Sequence, residues 1–282
     1  MHTTLISTAE LAAHLEDRGF VIVDVRHDLA QPDTWGEAQY RAGHIPGARF
    51  AHIDRDLSAP KTGANGRHPL PSPEAAAATF ARLGIGTATQ VVAYDQQQGM
   101  YASRLWWMLR RLGHEAVAVL DGGFEKWRRE GRPVTTDVPQ VEPAAFAIRR
   151  VASTVDAATL LASLPDRSLV VVDARSPERY RGEAEPLDPV AGRIPGSLNR
   201  PASQNLTAEF TFKPAAVLRA DFERLLGATP ADKVVHSCGS GVTACHNLLA
   251  MQIAGFGETK LYPGSWSEWC ADSSRPVARG HP

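Results

Sequence analysis

The run Cys238-Gly239-Ser240-Gly241-Val242-Thr243 holds the residues of this chain best suited to covalent chemistry. It follows the short apolar segment Lys233-Val234-Val235-His236 and precedes a helical stretch from Ala244 to Ala254. A cysteine at such a strand-to-helix turn has its sulfur above a helix N-terminus. Backbone N–H groups are unpaired there, and the helix dipole presents partial positive charge. That setting favours the thiolate, the nucleophilic form of the side chain. Gly239 and Gly241 lack the Cβ atoms that would stop the loop from curling into an anion-binding nest. A cysteine that only fills space behaves as a small hydrophobe and needs no Gly-Ser-Gly turn after it.

The elements that must position this loop occur twice. Phe20-Val21-Ile22-Val23-Asp24-Val25-Arg26 matches Leu169-Val170-Val171-Val172-Asp173-Ala174-Arg175, and Ala42-Gly43-His44-Ile45-Pro46-Gly47 matches Ala191-Gly192-Arg193-Ile194-Pro195-Gly196. Further on, Val91-Val92-Ala93-Tyr94-Asp95 matches Val234-Val235-His236-Ser237-Cys238. The segment Leu120 to Trp127 likewise matches Tyr262 to Trp269. Matched blocks in the same order indicate two copies of one fold rather than a short-period solenoid. Residues 1–138 and 153–282 are the expected domains, joined by a linker over 139–152 with prolines at 139 and 143.

Within each copy, short apolar runs alternate with amphipathic stretches. This predicts an α/β fold in which each domain is a mostly parallel sheet with helices on both faces. Ser7 to Glu10 reads as a capping box opening a helix to about Glu16, Ser153 to Asp156 as its counterpart, and Ser72-Pro73 as another helix start. Ligands of such sheets bind beyond the carboxyl ends of the strands, which is where Cys238 falls. The same alignment puts Asp95 at the cysteine position of the first copy. Aspartate cannot act as a sulfur nucleophile, so the first domain is expected to be non-catalytic.

Composition narrows the function classes. The 282 residues are 43% hydrophobic and 22% charged, with a formal net charge of −1. That balance gives no reason to expect nucleic acid or an anionic membrane as partner. No apolar run approaches the ~20 residues of a membrane span, and no secretory signal is visible. Three cysteines (Cys238, Cys245, Cys270) without metal-ligand spacing fit a cytoplasmic protein with no structural disulfide. No metal, nucleotide or flavin signature is present, so no cofactor is expected; Gly122-Gly123 reads as a turn.

The duplicated blocks, the Gly-His-Ile-Pro-Gly signature and the Cys238–Thr243 loop together resemble the tandem-domain rhodanese-like sulfurtransferases. The loop, and the segment Leu261 to Trp269, are most similar to the 3-mercaptopyruvate sulfurtransferase branch. The resemblance implies that Cys238 takes a sulfur atom from 3-mercaptopyruvate as a persulfide and passes it to a thiol or cyanide. Thiosulfate is the alternative donor; a thioredoxin-like dithiol or a small thiol is the implied acceptor. It also implies a proton relay of Ser240, His68 and Asp54, assembled in a cleft between the domains. Arg181 and Arg104 become substrate-binding arginines, alongside the loop residues Gly239, Gly241, Val242 and Thr243. The family's second substrate arginine is missing: the segment here reads Glu185-Pro186-Leu187-Asp188-Pro189. Arg193 is a possible substitute.

Other readings compete. Ser240 could be a small loop residue, His68 a surface histidine and Asp54 a turn cap. Arg181 and Arg104 could serve in ion pairs. A cysteine phosphatase would need an arginine six residues after the cysteine, where Ala244 stands. A non-enzymatic sulfur carrier or interaction scaffold would explain Asp95 but not the intact second loop. A reductase would need a resolving thiol, for which Cys245 and Cys270 are the candidates.

Overall fold

The computed structural model describes residues 1–96 and 98–281. Two compact units emerge, each built on a parallel sheet. In unit 1 the strands are β1 (Leu5–Ile6), β2 (Phe20–Asp24), β3 (Arg49–Phe50), β4 (Gln90–Tyr94) and β5 (Val117–Leu120), in the order β1-β5-β4-β2-β3. In unit 2 they are β6 (Val170–Asp173), β7 (Leu198–Asn199), β8 (Val234–Ser237) and β9 (Lys260–Leu261), in the order β7-β6-β8-β9. Every strand pair is parallel. The central strands are buried nearly end to end, which is why they read as continuous apolar runs.

The duplication reaches into the buried polar contacts. Arg26 grips Asp24 through Nε and Nη2 and donates to the Gly43 carbonyl at 2.7 Å; Arg175 does the same to Asp173 and to the Gly192 carbonyl at 2.7 Å. Both guanidinium groups are buried against an aromatic ring, Phe124 in one unit and Trp266 in the other. A buried charge survives only when paired and hydrogen-bonded, so the Asp-x-Arg staples tie β2 and β6 to their Ala-Gly turns.

Helix starts follow local chemistry. Ser7 and Glu10 form the reciprocal capping box, but the helix is short, Thr8–Ala12, and ends before Glu16. Helix Pro73–Arg82 opens on Ser72 with proline in its first turn, as expected. At the start of the second copy the cap is Asp156 alone, which accepts from the Thr159 amide; Ser153 takes no part.

The partition differs from a simple division in the middle of the chain. Residues 60–70 belong to unit 2 and residues 208–212 to unit 1. The first exchange is held by the Arg67 amide on Ser267 Oγ and by the Arg67 and His68 side chains. The second is held by the Phe212 amide on Asp121 at 2.8 Å. The 139–152 segment packs on unit 1, with the Ala144, Arg149 and Ala152 amides donating to carbonyls of Ala81, Leu112 and Arg111.

Candidate active site

At the C-terminal end of β8 the chain turns through Cys238–Thr243 into helix Ala244–Ile253. The turn is fixed from below by the segment after β9. The Cys238 amide donates to Ser265 Oγ at 3.1 Å, while the Cys238 and Gly239 carbonyls accept from the Trp266 and Ser267 amides. Ser265 itself has φ of +52°, a conformation a non-glycine residue adopts only when its surroundings enforce it. Gly241 has φ of +76°, and a Cβ there would lie 2.1 Å from the Pro263 carbonyl oxygen, so only glycine fits.

This curl turns the Gly241 amide onto Cys238 Sγ, 3.2 Å away. The thiol is buried, as are Gly239, Ser240, Gly241 and Val242, while Thr243 is half-buried. Cys238 also contributes to the field that keeps Arg175 charged. Burial works against that guanidinium, but Asp173, Glu185 and Cys238 more than offset it and raise its pKa.

Ser240 is hydrogen-bonded through Oγ to His68 Nδ1 at 2.7 Å, and both side chains are buried. His68 arrives on the 60–70 segment, inside unit 2, so this pair lies within one compact unit. With the proton on Nε2 the serine hydroxyl donates to Nδ1; with the proton on Nδ1 the direction reverses. Asp54 belongs to unit 1, where it is half-buried and its amide donates to His52 Nδ1 at 3.1 Å.

Two guanidinium groups flank the loop, and neither is from the arginines singled out in the sequence. A Cβ on Gly239 would sit 2.8 Å from Arg67 Nη2 and 3.4 Å from both terminal nitrogens of Arg179. Asp188 bridges the pair, taking Arg67 on one oxygen and Arg179, at 3.2 Å, on the other. Arg179 also grips Glu185.

Arg181 is not brought to the loop. It lies two residues beyond Arg179 in helix Pro177–Arg181, and residues two apart point to opposite sides of a helix. Its guanidinium makes two bonds to Glu183, at 2.7 and 2.8 Å, and that pairing raises its pKa. Its carbonyl accepts from Gly280, on the side of the C-terminal segment. Arg193 lies on that side too, with its backbone paired to Ala278 and its guanidinium on the Gly280 carbonyl and over the Tyr180 ring. It does not replace the missing arginine. Arg104 is fully buried in helix Ala102–Arg111 of unit 1 and donates to the Leu57 carbonyl at 3.3 Å.

Cys245 and Cys270 are buried and form no disulfide. Cys245 stands in the first turn of its helix, with Sγ 3.5 Å from the Gly241 carbonyl. Burial pushes the Cys270 thiol up, away from the thiolate a resolving group needs.

In unit 1 the corresponding loop carries its own anion. The Asp95 carboxylate accepts the Gly99, Tyr101 and Ala102 amides at 2.9, 2.8 and 3.2 Å, so a fixed side chain occupies the nest that Cys238 borders in unit 2. Burial still raises the Asp95 pKa, with those three amides opposing it.

A doubled parallel α/β unit with a Cys-Gly-Ser-Gly nest at one strand end defines a class. The chain belongs to the rhodanese-like domain family, whose pattern it matches over residues 7–130 and 156–272. It is 44% identical to a probable 3-mercaptopyruvate sulfurtransferase of Pseudomonas aeruginosa over 279 residues, covering 98% of each chain. It is 38% identical to a putative thiosulfate sulfurtransferase of Mycobacterium tuberculosis over 281 residues, 98% of this chain and 97% of that one. A solved 3-mercaptopyruvate sulfotransferase structure from Escherichia coli is 32% identical, with a TM-score of 0.81 over 94% of this chain and 99% of its own.

Proposed function

We propose that this protein is a sulfurtransferase that takes sulfur from 3-mercaptopyruvate through a persulfide on Cys238. The observation that carries this reading is the Ser240–His68 pair beside the cysteine nest, flanked by two guanidinium groups. The sulfurtransferase relatives support the reaction class.

The thiolate of Cys238 attacks the donor sulfur, and an S–S bond forms as the C–S bond to C3 breaks. The released electron pair becomes the enolate of pyruvate, stabilised by the C2 carbonyl. That carbanion equivalent must be protonated, which is the role of Ser240 backed by His68, with Asp54 as the relay's third member. The nest amides, Gly241 N–H foremost, stabilise the terminal sulfur of the persulfide as an oxyanion hole stabilises oxygen. A thiol or cyanide then attacks that sulfur and frees the Cys238 thiolate. A thioredoxin-like dithiol and a small thiol both fit this step, as does a reducing cytoplasm for a chain whose three cysteines form no disulfide.

Arg179 and Arg67 are the carboxylate-binding pair in this scheme. A planar guanidinium recognises a carboxylate through parallel N–H bonds, and two of them border Gly239. Arg67 thereby takes the place of the arginine that Leu187 does not supply.

The second reading is thiosulfate as donor, favoured by the same two guanidinium groups, which suit a sulfonate as well as a carboxylate. The donors differ in their leaving groups. Sulfite departs as a weakly basic anion and needs no proton, whereas the enolate does. Comparing kcat/KM for both donors in wild type and His68→Gln tests the assignment. Selective loss with 3-mercaptopyruvate supports it, and equal loss with both overturns it.

A further inference from the structure

Unit 1 contains a cavity of about 630 Å3 that the sulfur-transfer chemistry leaves unused. It is the counterpart of the unit 2 site. Tyr40 and Tyr180 donate to the carbonyls of the equivalent residues Ala48 and Ser197, which aligns Gln39 with Arg179. The Glu125 and Ser267 amides donate to the carbonyls of Gln96 and Gly239, which aligns that second pair. Gln39 and Gln96 both line the cavity, so carboxamides stand where unit 2 has a guanidinium and a bare backbone.

The buried arginine of the staple differs as well. In unit 2, Nη1 of Arg175 donates to Glu185 at 3.3 Å. In unit 1, Arg26 uses Nε and Nη2 on Asp24 and the Gly43 carbonyl, and Nη1 has no partner among the described residues. Arg26 lines the cavity, so its guanidinium has a donor edge to offer a ligand there. Gln96 mirrors it from the other side. Its Nε2 donates to the His27 carbonyl at 2.8 Å, leaving Oε1 as a buried acceptor with no partner among the described residues. A buried acceptor without a partner costs free energy until a ligand donor satisfies it, and the Arg26 guanidinium lines the same cavity.

The remaining wall balances in charge. Arg128 adds a second cation, Asp28 and Glu125 add two carboxylates, and Trp35 supplies an apolar face. Arg128 and Glu125 are only loosely paired, at 3.6 Å. A pure anion would meet two carboxylates, and a pure cation two guanidinium groups.

We infer that this cavity binds a zwitterion of the α-amino acid class. The carboxylate lies on Arg26 and Arg128, the ammonium on Gln96 Oε1 and Asp28, and an apolar side chain against Trp35. The site does not depend on the reaction assigned to unit 2.

Titration calorimetry on the full chain with L-phenylalanine, after alkylation of Cys238, tests this. The two one-charge analogues, 3-phenylpropionate and phenethylamine, form the control arms. L-Phenylalanine is expected to bind at millimolar concentration or below, with each analogue weaker by about tenfold or more, the loss of one charge-assisted contact. Filling the cavity with Gln39→Trp, or reversing charge with Arg128→Glu should the first variant fold poorly, is expected to abolish binding. No heat with L-phenylalanine, equal binding of either analogue, or binding unchanged in the variants would overturn the proposal.

Discussion

His68 Nδ1 and Ser240 Oγ, 172 residues apart in sequence, lie 2.7 Å from each other at the mouth of the cysteine loop. The contact is made because residues 60–70 leave the first unit and pack into the second. Ser267 Oγ accepts the Arg67 amide at 3.0 Å and pins that segment one residue before the histidine.

If this pair protonates the enolate, its loss must be felt by one donor only. Ser240→Ala and His68→Gln are each expected to lower kcat for 3-mercaptopyruvate by about 10²-fold or more, the usual worth of positioned acid catalysis. Thiosulfate turnover should stay near wild type. Steady-state assays with both donors check this.

Arg67→Ala is expected to raise KM for 3-mercaptopyruvate by about tenfold, one charge-assisted contact, while kcat changes little. Arg181→Ala is expected to leave KM unchanged, because Arg67 and Arg179 border Gly239 while Arg181 lies on the other side of its helix, on Glu183. An effect of Arg181→Ala equal to that of Arg67→Ala would contradict the placement.

The two loop glycines should respond differently. Gly241→Ala puts a Cβ against the Pro263 backbone in a left-handed conformation, so the nest must rearrange. Activity with every donor is expected to fall to near background. A Cβ on Gly239 meets chiefly the end of the Arg67 side chain, which can swing away. Gly239→Ala should therefore fold normally and show its defect in KM. Circular dichroism and donor kinetics on both variants separate the cases.

His236, at the core of β8, is fully buried with Nε2 3.2 Å from Met251 Sδ, and burial pulls its pKa from 6.5 down to about 3. The unfolded chain therefore binds a proton here that the native state refuses. Stability contributed by the neutral ring is whole above the unfolded pKa of 6.5 and is lost as pH falls toward 3. Urea unfolding should show a loss of about 2 kcal/mol from this residue between about pH 7.5 and pH 5. His236→Leu should remove that share of the slope; an unchanged slope would refute the assignment.

Much of the fold was legible because its signals are local. The repeated Asp-x-Arg and Ala-Gly-x-Ile-Pro-Gly blocks encode the same buried staple twice, and Ser72-Pro73 starts a helix through its own atoms. Cys238 and its glycines were legible for the same reason. Arg67 and Arg179 were not, because their positions depend on contacts far along the chain. Arg67 faces the loop only because its segment changes units, and nothing in residues 60–70 announces that. Arg179 and Arg181 differ by half a helical turn, a phase the motif alone leaves open. The helix opening at Asp156 rather than Ser153 reflects two plausible caps within one turn.

The central claim is that Cys238 carries the sulfur. Intact-protein and peptide mass spectrometry after 3-mercaptopyruvate treatment, without added reductant, tests it most directly. The account predicts the mass of one extra sulfur on the Cys238 peptide, removed by cyanide and absent in Cys238→Ser. Added sulfur on Cys245 or Cys270 instead, or sulfur transfer surviving in Cys238→Ser, would contradict it.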